Sequence, residues 1–191
     1  MAIEPTTKRT VLPGPAPYTV DDLLKLPDDG NRYELFNGSL VVSPAPTPPH
    51  QDAIFLLQTI LYQAVPRHLK VLSTVNVRKS DRDLYIPDIV VLPRDRFKET
   101  KLEFSSNDVA LAVEIGSPST RARDRGMKTE AYASAGIPNY WRVELDEGPT
   151  LYVYELDGDS YKPPTAYKAG TTVTLSAPYP VSFDPADLVE D

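Results

Sequence analysis

The chain contains no cysteine. That excludes a disulfide framework, thiolate metal sites and cysteine nucleophiles, and it fits a reducing cytoplasm. Histidine is almost as scarce: His50 and His68 are the only two, so a histidine-rich zinc site is not expected. No apolar run approaches the roughly 18 residues of a membrane span. The first residues lack the apolar core of a signal peptide. A cytoplasmic protein with no membrane partner is therefore expected. A P-loop and a dinucleotide-type glycine pattern are both missing, and Gly116-Ser117-Pro118-Ser119 lacks the spacing of a serine-hydrolase elbow. There is no surplus of basic charge either, since the formal net charge is −7. That counts against indiscriminate nucleic-acid binding but leaves room for a local basic cleft.

What is present describes one globular domain. The chain has 191 residues, 41% hydrophobic and 25% charged. Such a chain buries roughly 70% of its unfolded surface and needs no covalent or metal staple. Residues 1–17 are polar and proline-rich and read as a flexible tail, leaving 18–191 as a single domain. Thr19 is suited to cap a short helix whose apolar side is Leu23, Leu24 and Leu26. Asn37-Gly38 predicts a tight hairpin between strands 33–36 and 40–43. Thr47-Pro48 opens a helix from His50 to about Val65, with Ile54, Leu57, Leu61 and Ala64 inward and Phe55, Leu56 and Ile60 widening that stripe. Strands are expected over 71–77 and 84–92, joined by a charged turn; Pro87 is tolerated only near a strand start or edge, so the second strand proper begins at Asp88. Residues 93–107 read as polar irregular chain with room for one short helical turn. Residues 109–115 form a nearly continuous apolar run, the pattern of a strand covered on both faces. Ser119 or Thr120 caps a helix over 121–135, ended by Gly136. A strand over 137–145 follows, then hairpins through Asp157-Gly158-Asp159 and over 171–183. This is an α/β (α+β) layer design with a mixed sheet.

The stretch from Val109 to Lys128 organises the rest. It is an apolar strand with one carboxylate, Glu114, near its end, then a break, then a basic helix. A carboxylate inside an apolar strand costs several kcal/mol unless it is paired, protonated or metal-bound. Asp88, after Pro87 and before another apolar run, would meet Glu114 at one sheet edge if the two strands are antiparallel. Mg²⁺ and Mn²⁺ take one or two carboxylates plus waters, and the Lys128 ammonium could stabilise charge on a phosphate beside them. Arg121, Arg125 and Lys128 share one helical face. Plainer readings stand beside this. Asp88 can be a turn residue, Lys128 can pair with Asp124 on the surface, and Tyr132 reads as packing. Glu34 reads as a solvated outward strand position, and His50 as a surface or capping residue.

Three stretches carry a resemblance: YELFNGSLVVSPAPTPPH, PDIVVLP, and LAVEIGSPSTRARDRGMKTEAYASAGIPNYWRV. Together, over roughly residues 18–156, the chain resembles a bacterial restriction-endonuclease-like family with the PD-(D/E)XK nuclease fold. The resemblance implies a restriction-endonuclease-like core, a mixed sheet flanked by helices, with an N-terminal hairpin and C-terminal β-hairpins. It implies metal-dependent hydrolysis of DNA phosphodiesters, with Asp88, Glu114 and Glu34 as the acidic metal site for Mg²⁺ or Mn²⁺. The wider fold places a lysine two residues after the second carboxylate. Gly116 stands there in this chain, and the implied catalytic lysine is Lys128 on the following helix. Arg121, Arg125 and His50 are candidates for contact with double-stranded DNA. Restriction-type folds are often dimers, so a homodimer through the C-terminal hairpins is an expectation. A catalytically inactive module that binds nucleic acid or a protein partner is the alternative.

Overall fold

The computed structural model describes residues 14–27, 29–43, 45–100, 102–116, 125–146 and 148–189. The greater part of the tail (1–13), the proposed caps Ser119 and Thr120, Arg121 and Asp124 lie outside the described residues. Strands β1 (Arg32–Phe36) and β2 (Ser39–Ser43) form the expected antiparallel hairpin. They are followed by helix α2 (Pro48–Ala64), which comes after the short α1 (Val20–Leu23). Next come β3 (Leu69–Ser73), β4 (Asn76–Ser80), β5 (Asp83–Tyr85) and β6 (Ile89–Pro93). Helix α3 (Arg94–Glu99), β7 (Glu103–Ser105) and β8 (Leu111–Gly116) precede α4 (Met127–Ser134) and β9 (Asn139–Glu144). The chain ends in β10 (Thr150–Asp157), β11 (Ser160–Tyr161), β12 (Thr165–Lys168), β13 (Val173–Leu175) and β14 (Val181–Phe183). Among the described residues no helix is long and apolar enough to cross a membrane.

The strands make a large and a small mixed sheet. The large one runs β11-β10-β9-β8-β6-β3, with β12 also on β10; the small one runs β2-β1-β5-β4-β7. β8 is central, as its apolar run implies, and it lies parallel to β9 and antiparallel to β6. The parallel pair requires a crossover, and α4 lies on it.

One strand expected to be single is split, and the other breaks at Pro87, just before the expected start of its strand proper. Residues 71–77 divide into β3 and β4, which belong to different sheets, and residues 84–92 divide into β5 and β6 in the same way. The breaks lie side by side. Thr74 takes a left-handed φ of 51°, a conformation unfavourable for a β-branched residue. Its N–H donates to the Asp88 carbonyl at 3.1 Å. Pro87, which has no N–H, ends ladder pairing on the other strand. One long antiparallel ribbon therefore bends out of the large sheet into the small one, and Asp88 sits at the bend. Residues 93–107 are more ordered than the sequence implies, since they contain α3, β7 and a 3₁₀ turn.

The large sheet is buried on both faces. Val91, Leu111, Val113, Ile115, Trp141 and Val143 face α2 and the β13–β14 hairpin. Val90, Ala112, Tyr132 and Tyr140 lie on the opposite side, with Val77 and Tyr85 of the small sheet. Three apolar expectations fail. Leu24 and Phe55 are exposed, at 47% and 65%, and Ala64 is exposed at the last turn of α2. They lie outside the arc that each helix turns to its sheet.

The N-terminal hairpin has a close contact that its turn sequence alone does not show. Asn37 and Gly38 have φ of 49° and 76°, as a type I′ turn demands. A Cβ on Gly38 would stand 2.6 Å from Pro17 Cβ. Gly38→Ala is therefore expected to destabilise the fold by about 1–3 kcal/mol, through steric overlap and an unfavourable φ. A urea melt reads this directly, and an unchanged midpoint would show that the segment at Pro17 is not packed on the turn.

Candidate active site

Register and pleat place two carboxylates together. Ile89 pairs with Val113 in the β6–β8 ladder. One step further the antiparallel register sets Asp88 opposite Glu114, and opposed residues share a sheet face. Asp88 precedes the first residue of β6 rather than beginning it. Its carboxylate continues the ladder where the backbone has turned away, because Asp88 Oδ2 accepts the Ile115 N–H at 2.9 Å. On the next strand Glu114 is opposed by Arg142.

The small sheet supplies a third carboxylate. Glu34 is not the solvated strand position that alternation permits, since it is as buried as Asp88 and Glu114, each 3% exposed. Its Oε1 accepts the Ile86 N–H at 2.9 Å, a donor located at the bend just before Pro87. Lys128 enters from α4, only 6% exposed. Its Nζ lies 2.8 Å from Glu114 Oε1 and 3.5 Å from Glu34 Oε2. The reading of Lys128 as one half of a surface pair is thus corrected: its ammonium joins carboxylates of the two sheets. Gly126 stands at the N-cap of α4.

Two further corrections concern His50 and Tyr132. His50 is neither a surface residue nor a cap. Its Nε2 lies 3.2 Å from Asp88 Oδ2, and its Nδ1 is buried with no hydrogen-bond partner among the described residues. Tyr132 packs against Tyr85 and Tyr140, but its hydroxyl also donates to Glu114 Oε1 in a short hydrogen bond. Its position four residues after Lys128, on the same helical face, was the available signal. Sequence reasoning also missed Arg32. Its NH1 lies 3.1 Å from Asp88 Oδ1, and the signal was its place two residues before Glu34 on one strand face. Arg125 stands apart from this cluster. It makes a two-pronged pair with Glu144, at 2.8 and 2.6 Å.

Electrostatics keep the site charged. Burial pushes the Asp88 carboxyl up, but the hydrogen bond and charge of His50, the charge of Lys128 and the Ile115 N–H together hold it below the ordinary aspartate value. Asp88 is therefore ionised at neutral pH. Burial, then the charges of Glu114 and Glu34, push the Tyr132 phenol well above its usual range. The hydroxyl stays protonated and available to donate.

Among the described residues no group of three or more His, Cys, Asp or Glu forms a cluster that could hold a metal ion. A closed cage of protein ligands is thus not what this site offers. The opposed pair of Asp88 and Glu114 fits the sparser demand of Mg²⁺, which takes one or two carboxylates and keeps several waters. Hard oxygen donors on a rigid sheet are chemically suited to Mg²⁺ or Mn²⁺.

A bent mixed sheet with an acidic pair at its central strands and a buried lysine beside them defines a restriction-endonuclease-like architecture. The profile of the Uma2 family, described as "Putative restriction endonuclease", matches residues 20–187. The chain belongs to that family. Among solved structures it is similar to a crystal structure of "a putative nuclease belonging to DUF820" from Anabaena variabilis ATCC 29413. That likeness has a TM-score of 0.72 at 20% identity and covers 90% of this chain and 97% of the other. No curated protein matches the chain.

Proposed function

We propose that this protein is a cytoplasmic, metal-dependent endonuclease that hydrolyses phosphodiester bonds of double-stranded DNA. The observation that carries this reading is the opposition of Asp88 and Glu114 on one sheet face, with the Lys128 ammonium against Glu114. Family membership supports the same reading. Asp88 and Glu114, with the Ile115 carbonyl, would hold Mg²⁺ or Mn²⁺, and Glu34 stands on the far side of Lys128 as the third acidic member. When bound, the cation supplies Lewis-acid stabilisation of charge on the phosphate.

The side chains divide the remaining work. Lys128 brings a positive charge against the accumulating phosphate charge, in a site where burial strengthens each interaction. Glu34 and Glu114 hold that ammonium in place. Tyr132 fixes the Glu114 carboxylate through its hydroxyl. Ile115 and His50 set the rotamer of Asp88. A non-catalytic binding module is the second reading. Its support is that Lys128 already pairs with both Glu114 and Glu34, so these two carboxylates have a cation without any added metal.

Plasmid cleavage in Mn²⁺ separates the two. Wild type is expected to nick or linearise the plasmid. Asp88→Ala and Glu114→Ala should each lose about 100- to 1,000-fold in rate, the scale of removing one preorganised electrostatic group. Equal cleavage by all three preparations would assign the activity to a contaminant and remove the nuclease reading.

A further inference from the structure

We propose that Arg32 is a substrate-positioning residue, which holds Asp88 in the free protein and takes the DNA phosphate at the site when substrate binds. This rests on the nuclease reading above and adds the residue that grips the substrate.

Exposure is the first argument. Glu34, Asp88, Glu114 and Lys128 are sealed, whereas the Arg32 side chain keeps 22% of its surface open. Arg32 also lines a cleft of about 240 Å³ together with Thr74 and Ile86, the residues flanking the bend at Asp88.

Donor geometry is the second. A guanidinium carries five N–H donors in a planar fork, suited to two-pronged contact with phosphate. Arg32 commits NH1 to Asp88 Oδ1, and among the described residues the opposite edge of the fork makes no other hydrogen bond, which leaves it for a second anion.

Charge is the third. Arg32 carries a permanent positive charge beside the Asp88 carboxylate, and of the two fixed cations among the described members of the site, Arg32 and Lys128, it is the one open to solvent. An arriving phosphate would form charge-assisted hydrogen bonds with that guanidinium.

The test is binding of a fluorescein-labelled DNA duplex, followed by anisotropy across a salt series. Ca²⁺ serves as the hard cation, with a parallel series in EDTA. In Ca²⁺, Arg32→Ala is expected to weaken binding about tenfold and to lower the slope of log affinity against log salt by about one, the loss of one phosphate contact. Arg32→Lys keeps the charge and should keep the slope. Arg32→Gln retains a donor for Asp88 and should lose the slope as alanine does, so it carries the test if the alanine variant unfolds. Wild-type affinity and slope in both Arg32→Ala and Arg32→Gln would overturn the proposal and leave Asp88 as the residue's whole role. Failure of wild type itself to bind duplex would overturn the proposal and the nuclease reading together.

Discussion

Lys128→Ala is expected to lower the unfolding free energy by about 3–5 kcal/mol, the cost of removing one partner from a buried ion pair. The size follows from what remains. Glu114 and Glu34, both buried, would lose the cation they share. The Ile86 N–H and the Tyr132 hydroxyl would still donate to them, and neutral hydrogen bonds of that kind offset only part of the desolvation of an ion. The effect should shrink in the double variant Lys128→Met with Glu114→Gln, which removes charges of both signs together. Urea denaturation of the two variants checks this. A Lys128→Ala protein as stable as wild type would mean that the ammonium is not held between the sheets.

Trp141→Ala is expected to cost a similar 3–5 kcal/mol, by a different mechanism. The indole is fully buried between the large sheet and the C-terminal hairpin, with its ring 6.4 Å from that of Phe183. Truncation leaves a cavity that strands locked in register on both sides cannot fill. Trp141→Phe should cost much less, about 1–2 kcal/mol. Among the described residues the buried indole N–H has no hydrogen-bond partner, so its removal sacrifices none of the hydrogen bonds seen there. Trp141 is the only tryptophan, and the melts are therefore followed by circular dichroism. Equal losses for the two variants would show that the indole nitrogen is satisfied in solution.

Local signals in the sequence are the ones that survive in the structure. Asn37-Gly38 needs only its own backbone to form a hairpin, and the apolar run ending in Glu114 needs only its covering to be central. The opposition of Asp88 and Glu114 was legible because two such runs, when antiparallel, bring their ends together. The split of 71–77 was not legible. Its alternation continues through Thr74, and nothing about a threonine marks it for a left-handed φ. The burial of Glu34 was hidden for another reason. Alternation says that a strand has two faces but not which one is covered, and the cover here is α4, more than ninety residues later in the chain. Arg32 was missed with it, since both point to the same side. Family resemblance brought Glu34 into the site where residue patterns alone left it outside.

The bend gives the site a second significance. Glu34 belongs to the small sheet and Glu114 to the large one, and Lys128 is the fastener between them. The same three side chains that are proposed to do chemistry also clamp two layers of the molecule. A descendant that lost its substrate would still lose stability if it lost these residues. Selection for a folded protein alone is then enough to preserve the set, and the catalytic signature can outlive catalysis in a lineage.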